Sequence, residues 1–387
     1  MSAKKDFLIF GSPKIEREEI REVVRTLKSG WLGTGPRVAR FEEMFRALKG
    51  TRFAMAVNSC TAALHLAMLA IGIRPGDEVL VPAMTFAATA NAVIHAGGRP
   101  VLVDCDRRTM TLSLEDMEKK ITPRTRAVIP VHFAGRPCAM NGITELAGRH
   151  GLKIVEDCAH AIEAEYHGKK TGTFGQIGCF SFYVTKNIVT GEGGMAVTDD
   201  GEYAGRFKTL ALHGMSRDAW KRFSDEGYRH YQVVDAGFKY NMMDLQAAIG
   251  IRQLPRIEKY RRRRAAVWKR YDEAFASLPV FLPPPPEPDT RHALHLYTLL
   301  LDIERLRISR DQFLQSMTEA GIGVGVHYIA LHLHPYYRET FGYRPGDFPG
   351  AEWVSQRTIS LPLSPKLSDR NVRAVIAAVT RIVRENS

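Results

Sequence analysis

The feature that most constrains this 387-residue chain is an alternation of strand-like and helix-like segments between residues 53 and 155. Short apolar runs at Phe53 to Val57, Glu78 to Pro82, Pro100 to Val103, Ala127 to Val131 and Leu152 to Val155 read as strands. Between them lie helical patterns. One starts at Asn58-Ser59-Cys60-Thr61 and carries Leu64, Met68 and Ile71; the next follows Phe86 and ends near Gly97; two more cover Leu114 to Ile121 and about Ile143 to His150. Strands and helices in turn require right-handed βαβ crossovers, which predicts an α/β fold with a mostly parallel sheet flanked by helices. No fixed-period repeat is present, which argues against a solenoid.

The flanks extend this pattern. Ser12-Pro13 predicts a helix start, with Ile20, Val23, Val24 and Leu27 as its apolar face and Gly30 as its stop. A loop at Trp31-Leu-Gly-Thr-Gly-Pro36 precedes a helix from Val38 to about Leu48. Downstream, a long helix from Leu254 to about Ser277 meets Pro283 to Pro288, a run that cannot continue a helix or enter a sheet interior and so predicts a linker. Beyond it, strand patterns at His295 to Leu301 and Gly323 to Tyr328, and helical ones at Arg310 to Ala320 and Asp369 to Val383, predict a smaller α/β unit.

Hydrophobic residues make up 45% and charged residues 25%, the balance of an ordinary globular enzyme, and no apolar run reaches the length of a membrane span. The start, Met1-Ser-Ala-Lys-Lys-Asp-Phe, lacks a leader's apolar core, and the five scattered cysteines show no C-x-x-C pair. Both point to a cytoplasmic location with reduced thiols. The net charge of +12 admits nucleic acid as a partner. However, the densest basic run, Lys259 to Arg264, lies in a helical pattern in which Ile257, Arg264, Trp268, Tyr271 and Phe275 fall close to one face, so most of its arginines read as a solvated flank. An anionic small substrate suits the charge equally well.

Chemistry enters with Cys179-Phe-Ser-Phe-Tyr-Val-Thr-Lys186, where an apolar, aromatic run ends in one lysine before a Gly-rich turn. Desolvation favours the neutral amine, a nucleophile toward carbonyl compounds. Upstream, Leu152-Lys-Ile-Val-Glu-Asp157 delivers an acid at a strand's C-terminal end, where open α/β sheets gather their ligands. A Schiff-base lysine and an acid that pairs with a pyridinium nitrogen are what a pyridoxal phosphate (PLP) site asks of its protein. The His332 and His334 pair has no Cys or carboxylate at ligand spacing, so no metal is expected.

With Lys186, Asp157, His160 and Ser181 in register, the chain resembles the DegT/DnrJ/StrS-type sugar-nucleotide aminotransferases, which share the aspartate-aminotransferase fold of PLP enzymes (fold type I). The resemblance implies a large cofactor domain (1–251) and a small C-terminal domain (252–387). It implies that Lys186 binds the cofactor aldehyde and moves protons, that Asp157 holds the ring nitrogen, and that His160 approaches the phenolic oxygen. Ser181 and the amides of Cys60 and Thr61 would take the phosphate, and Phe86 would stack on the ring. Asn241, in Gly237-Phe-Lys-Tyr-Asn241, would reach the phosphate of a second subunit in a homodimer. Trp31, Leu32, Gly33, His327 and Tyr328 would contact substrate. The implied reaction moves an amino group from glutamate to a nucleotide-linked keto sugar. The relatives most alike aminate UDP-linked 4-keto sugars, including UDP-4-keto-arabinose, for polysaccharide biosynthesis. Two alternatives stand beside it. Sugar dehydratases share the cofactor but replace the Schiff-base lysine with histidine. A non-catalytic relative of this fold would bind nucleic acid or a partner through the basic helix.

Overall fold

The computed structural model describes residues 7–216 and 231–387. Residues 1–6, where the start lacks a leader's apolar core, lie outside the described residues. Helices α1 (Arg17–Ser29) and α2 (Pro36–Lys49) lead into the alternating region: β1 (Phe53–Val57), α3 (Cys60–Ala70), β2 (Glu78–Pro82), α4 (Ala87–His95) and β3 (Arg99–Val103). It continues with α5 (Leu114–Lys120), β4 (Thr125–Val128), α6 (Met140–Arg149) and β5 (Lys153–Asp157). A short ribbon, β6 (Glu165–Tyr166) and β7 (Lys169–Lys170), precedes β8 (Ile177–Ser181), β9 (Gly194–Thr198) and α7 (Gly201–Ala211).

Seven of these strands form one sheet in the order β1-β9-β8-β5-β4-β2-β3. The pairings from β8 through β3 are parallel, and β9 alone runs against its neighbours. Unbroken apolar runs suit strands covered on both faces; β2 and β9 are buried at every position. The helix α3 is buried nearly all round, which explains its lack of a polar stripe.

The chain continues through α8 (Asp244–Gln253), α9 (Ile257–Phe275), β10 (Val280–Phe281), β11 (Thr290–Arg291), β12 (Tyr297–Leu301) and α10 (Arg310–Glu319). It closes with α11 (Pro335–Phe341), α12 (Pro349–Ser355), β13 (Thr358–Leu361) and α13 (Asp369–Glu385). An antiparallel sheet, β10-β12-β13, packs with α9, α10 and α13 around its own apolar core, while Leu331, Tyr337, Phe348 and Val354 join the core of the large sheet.

Four expectations are corrected. Helix α1 starts at Arg17, not at Ser12-Pro13, and faces the opposite way from its apolar pattern. Glu19, Glu22 and Thr26 are buried, while Ile20, Val24 and Leu27 are exposed. The cause is complementary charge: Glu22 pairs with Arg37 and Arg252, and Glu19 pairs with Arg256 and Gln253. The Pro283 to Pro288 run is not an interdomain linker, because β10 before it pairs with β12 after it. Gly323 to Tyr328 forms no strand; a single bridge, Gly325 to Ser360, is its only ladder contact among the described residues. The arginines of α9 are not simply a solvated flank. Arg263 and Arg270 share Asp369 and Arg261 donates to the His292 carbonyl, while Arg264, as its place on the inner face implies, is buried against Glu163.

Candidate active site

Asp157 ends β5 and Ser181 ends the adjacent β8, so the sheet brings both to one edge. The chain then turns back through Lys186 before returning as β9. Gly194, opposite Ser181 in the ladder, lies so close to the next helix that a Cβ there would meet the Ser59 carbonyl carbon at 2.4 Å. Glycine is therefore required, and Ser181 lies beside the start of α3. There the Ser59 hydroxyl caps Ala62 N–H at 3.1 Å. The first amides of a helix have no partner within it, which leaves those of Cys60 and Thr61 at the positive end of the helix dipole, a ready anion cradle.

Asp157 is buried. One carboxylate oxygen accepts from Thr89 Oγ1 at 2.8 Å and the other from Ala159 N–H at 3.0 Å. Burial pushes its pKa up, against the pull of these donors and of Lys186. Thr89 in turn meets Thr85 Oγ1 at 2.8 Å. No described residue hydrogen-bonds the Lys186 amine. Desolvation lowers its pKa to about 8, opposed by Cys60 and Asp157. Such an amine is part neutral near physiological pH.

Three neutral histidines surround this pair. His160 and His295 are driven far below the ordinary imidazole range and His327 to about 4, each first by burial and then by the Lys186 charge. Ala134 N–H donates to His160 Nδ1 at 3.2 Å, so the proton rests on Nε2, which meets the Tyr328 hydroxyl at 3.2 Å. Phe86 stands at the site with 61% of its surface exposed, its ring 5.9 Å from that of Tyr328.

Sequence reasoning missed the support behind Lys186. The adjacent Asn187 donates to Glu163 Oε2 at 2.7 Å and to the Ala293 carbonyl at 3.1 Å, and its Oδ1 meets His295 Nδ1 at 3.0 Å. The His295 ring lies 4.4 Å from that of His160, and Arg264 neutralises Glu163 from α9. The visible signals were weak: an Asn next to the lysine and one arginine in a basic run.

The remaining predicted residues gather elsewhere. Trp31, Leu32, Gly33 and Asn241 line a separate cleft of about 1000 Å3 with Glu42, Lys208 and Lys239. Asn241 Nδ2 donates to Thr34 Oγ1 at 2.6 Å, while its Oδ1 is buried with no partner among the described residues. Asp244 ties this loop down by accepting from the Gly35, Arg37 and Val38 amides. His332 bonds Glu352, and His334 forms no metal cluster with it among the described residues. One group there has metal-like spacing, His132, Glu156 and Cys158. Its Glu156 oxygens are already taken by His132 and by the Gly172, Phe174 and Gly175 amides, so it reads as a buried hydrogen-bond knot.

An α/β sheet with a desolvated lysine facing a buried acid defines the class of PLP-dependent transferases, and comparison with known proteins narrows it. Residues 13–380 match the DegT/DnrJ/EryC1/StrS aminotransferase family. The chain is 50% identical over 383 residues to the uncharacterized protein MJ1066 of Methanocaldococcus jannaschii, covering 99% of each. It is 47% identical over 379 residues to the spore coat polysaccharide biosynthesis protein SpsC of Bacillus subtilis, covering 98% of this chain and 97% of SpsC. The fold superposes with a TM-score of 0.91 on Streptococcus pneumoniae Spr1654, described as a sugar aminotransferase and solved with PMP, at 32% identity and 98% coverage of both chains. A PLP form of that protein matches equally well. The chain belongs to the DegT/DnrJ/EryC1/StrS family, whose members are PLP-dependent sugar aminotransferases.

Proposed function

We propose that this enzyme transfers the amino group of glutamate to a keto sugar carried by a nucleoside diphosphate, with a UDP-linked 4-keto sugar as the first candidate. The observation that carries the reading is the partly buried Lys186 amine, its pKa lowered by desolvation and with no hydrogen-bond partner among the described residues, beside buried Asp157. Cofactor and residues fit one another. Asp157, fixed by Thr89 and Ala159, would hold the cofactor's ring nitrogen; the open face of Phe86 would stack on the ring; Ser181 and the amides of Cys60 and Thr61 would take the phosphate. PLP, when bound, supplies an electron sink for the pair left at the reacting carbon. Lys186 Nζ takes the proton from that carbon and returns it on the other side of the transfer, the work of a base with a pKa near the working pH. Tyr328, held by the His160 N–H, and His327, bonded to Ser360 at 2.8 Å, bind and orient the sugar and keep water out.

The reading includes a homodimer. The exposed Ile20, Val24 and Leu27 of α1 lead into exposed Trp31 and Leu32 and the Asn241 cleft. An apolar stripe beside a buried carbonyl without a donor suits a second copy seated there. Asn241 and Trp31 would then complete the partner's site. The reading also makes 1–251 the cofactor-holding part and 252–387 the part that closes the sugar cleft, in a cytoplasmic enzyme.

The test is to incubate the PLP-loaded protein with glutamate and a panel of UDP-, GDP- and dTDP-linked keto sugars and the corresponding free keto sugars, detecting amino sugars by mass. UDP-4-amino sugar is the expected product. Amination of free keto sugars alone, or of none of the panel, overturns the reading.

A further inference from the structure

We propose a second ligand site, for a nucleoside phosphate, in the cleft between α9, the loop after β3 and α12. The recess encloses about 960 Å3 and shares no lining residue with the Lys186 group. That volume suits a nucleotide.

Its floor carries the decisive group. His292 is 5% exposed, and its Nδ1 accepts from Leu294 N–H at 2.8 Å. The ring proton therefore sits on Nε2, and no described residue accepts it. Burial, with Arg136 and Arg261 nearby, keeps this imidazole neutral, so Nε2–H is a lasting donor. Arg261 lies above it, spends its Nε on the His292 carbonyl at 3.3 Å, and leaves its terminal nitrogens free of described partners. Arg108 and Lys269 line the same recess, Lys269 also pairing with Glu273 at 3.7 Å; the one acid among the described lining residues, Asp272, accepts from the Tyr297 hydroxyl at 2.9 Å. Its proline rim is held by Arg136, which donates to the carbonyls of Pro284 and Pro285.

The lining is mostly apolar, with the His292 donor and the cations Arg261, Arg108 and Lys269 set into it; phosphate is the group that guanidinium and ammonium ions match. The rest of the lining is proline and aliphatic, with three flat rings, Trp268, Phe281 and Trp353, set among it. Trp268 comes from α9 and offers a ring to a planar base, while Trp353 from α12 already carries the Arg357 guanidinium at 4.6 Å and brings Arg107 to the rim at 5.8 Å. Phosphate joined to a planar ring is the chemistry of a nucleotide. The floor also adjoins the catalytic support, because Ala293, between His292 and Leu294, accepts from Asn187 beside Lys186.

The experiment titrates the PLP-loaded enzyme with AMP, UMP and GMP, and with adenosine and inorganic phosphate as partial ligands, following tryptophan fluorescence and calorimetry. Saturable binding of at least one nucleotide is expected, tighter than either partial ligand. His292→Asn keeps an acceptor for Leu294 N–H but withdraws the donor, and should weaken binding about tenfold, the value of one hydrogen bond to a charged group. His292→Gln, which places an amide near Nε2, should recover part of the loss. Arg108→Glu and Lys269→Glu, at exposed positions, should weaken binding by as much or more while transamination continues at the parent rate. Binding unchanged by all of these variants, or no saturable binding by any nucleotide, overturns the proposal. Either result leaves the amination assay untouched.

Discussion

The predicted site residues split into two regions of opposite character. Around Lys186 the polar groups are matched within the chain: Asp157 has both oxygens occupied, His160 has both nitrogens engaged, and Asn187 satisfies three partners at once. Around Trp31 and Asn241 the matching stops. Large apolar side chains face outward, and a buried carbonyl oxygen has no donor among the described residues. The first region is preorganised to hold a charged ring and a reactive amine. The second is the surface that the proposed dimer would cover. Chemistry placed in one protomer and recognition placed between two would explain why both appear in one chain.

The largest expected effect tests the first region. Lys186→Ala should lower transamination by about 10^3-fold or more, because it removes both the covalent anchor and the proton carrier. A rate within a few-fold of the parent in a steady-state assay would show that the desolvated amine is incidental. The next effect tests the second region. Leu27→Glu sets a charge on the α1 stripe and should weaken self-association by roughly 2 kcal/mol, about thirtyfold, in sedimentation equilibrium. Activity should fall with the dimer fraction and recover at high protein concentration. Unchanged association would assign the stripe to something other than a second copy.

The same contrast governs what could be read from the sequence. The strands at Phe53 to Val57 and Glu78 to Pro82 have the bounds their apolar runs suggest, because burial on both faces leaves no competing pattern. Asp157 and Lys186 were legible because each ends such a strand or follows one closely. Helix α1 misled because its acids found buried partners on α8 and at Arg256, 230 or more residues away in sequence. A helical period cannot reveal a partner so remote. Gly323 to Tyr328 looked like a strand, yet β13, from Thr358 to Leu361, takes the ladder beside β12. Arg264 fell on the inner face of its helical pattern, yet nothing local announces that Glu163 waits beneath it. The orphaned oxygen of Asn241 is a fact of three dimensions only.

The smallest expected effect concerns the desolvation of Lys186. With a folded pKa of about 8 against 10.5 for an ordinary lysine, about a tenth of the apoenzyme amine is neutral at pH 7, far more than on a surface lysine. Competitive acylation of the apoenzyme, read by peptide mass, should show Lys186 reactivity rising through pH 8, while surface lysines follow two or more pH units later. The linkage has a definite sign. Between about pH 8 and 10.5 the unfolded chain holds a proton that the folded one has shed, so this group makes stability rise with pH across that window. Below pH 8 both states are protonated and the folded state bears the full penalty of the desolvated charge. Lys186→Met removes it and should stabilise the apoenzyme at pH 7 by roughly 1–3 kcal/mol in denaturant melts. That gain should shrink toward pH 10. A variant less stable than its parent at pH 7 would mean that the ammonium is well solvated, and the desolvation of Lys186 would fail with it.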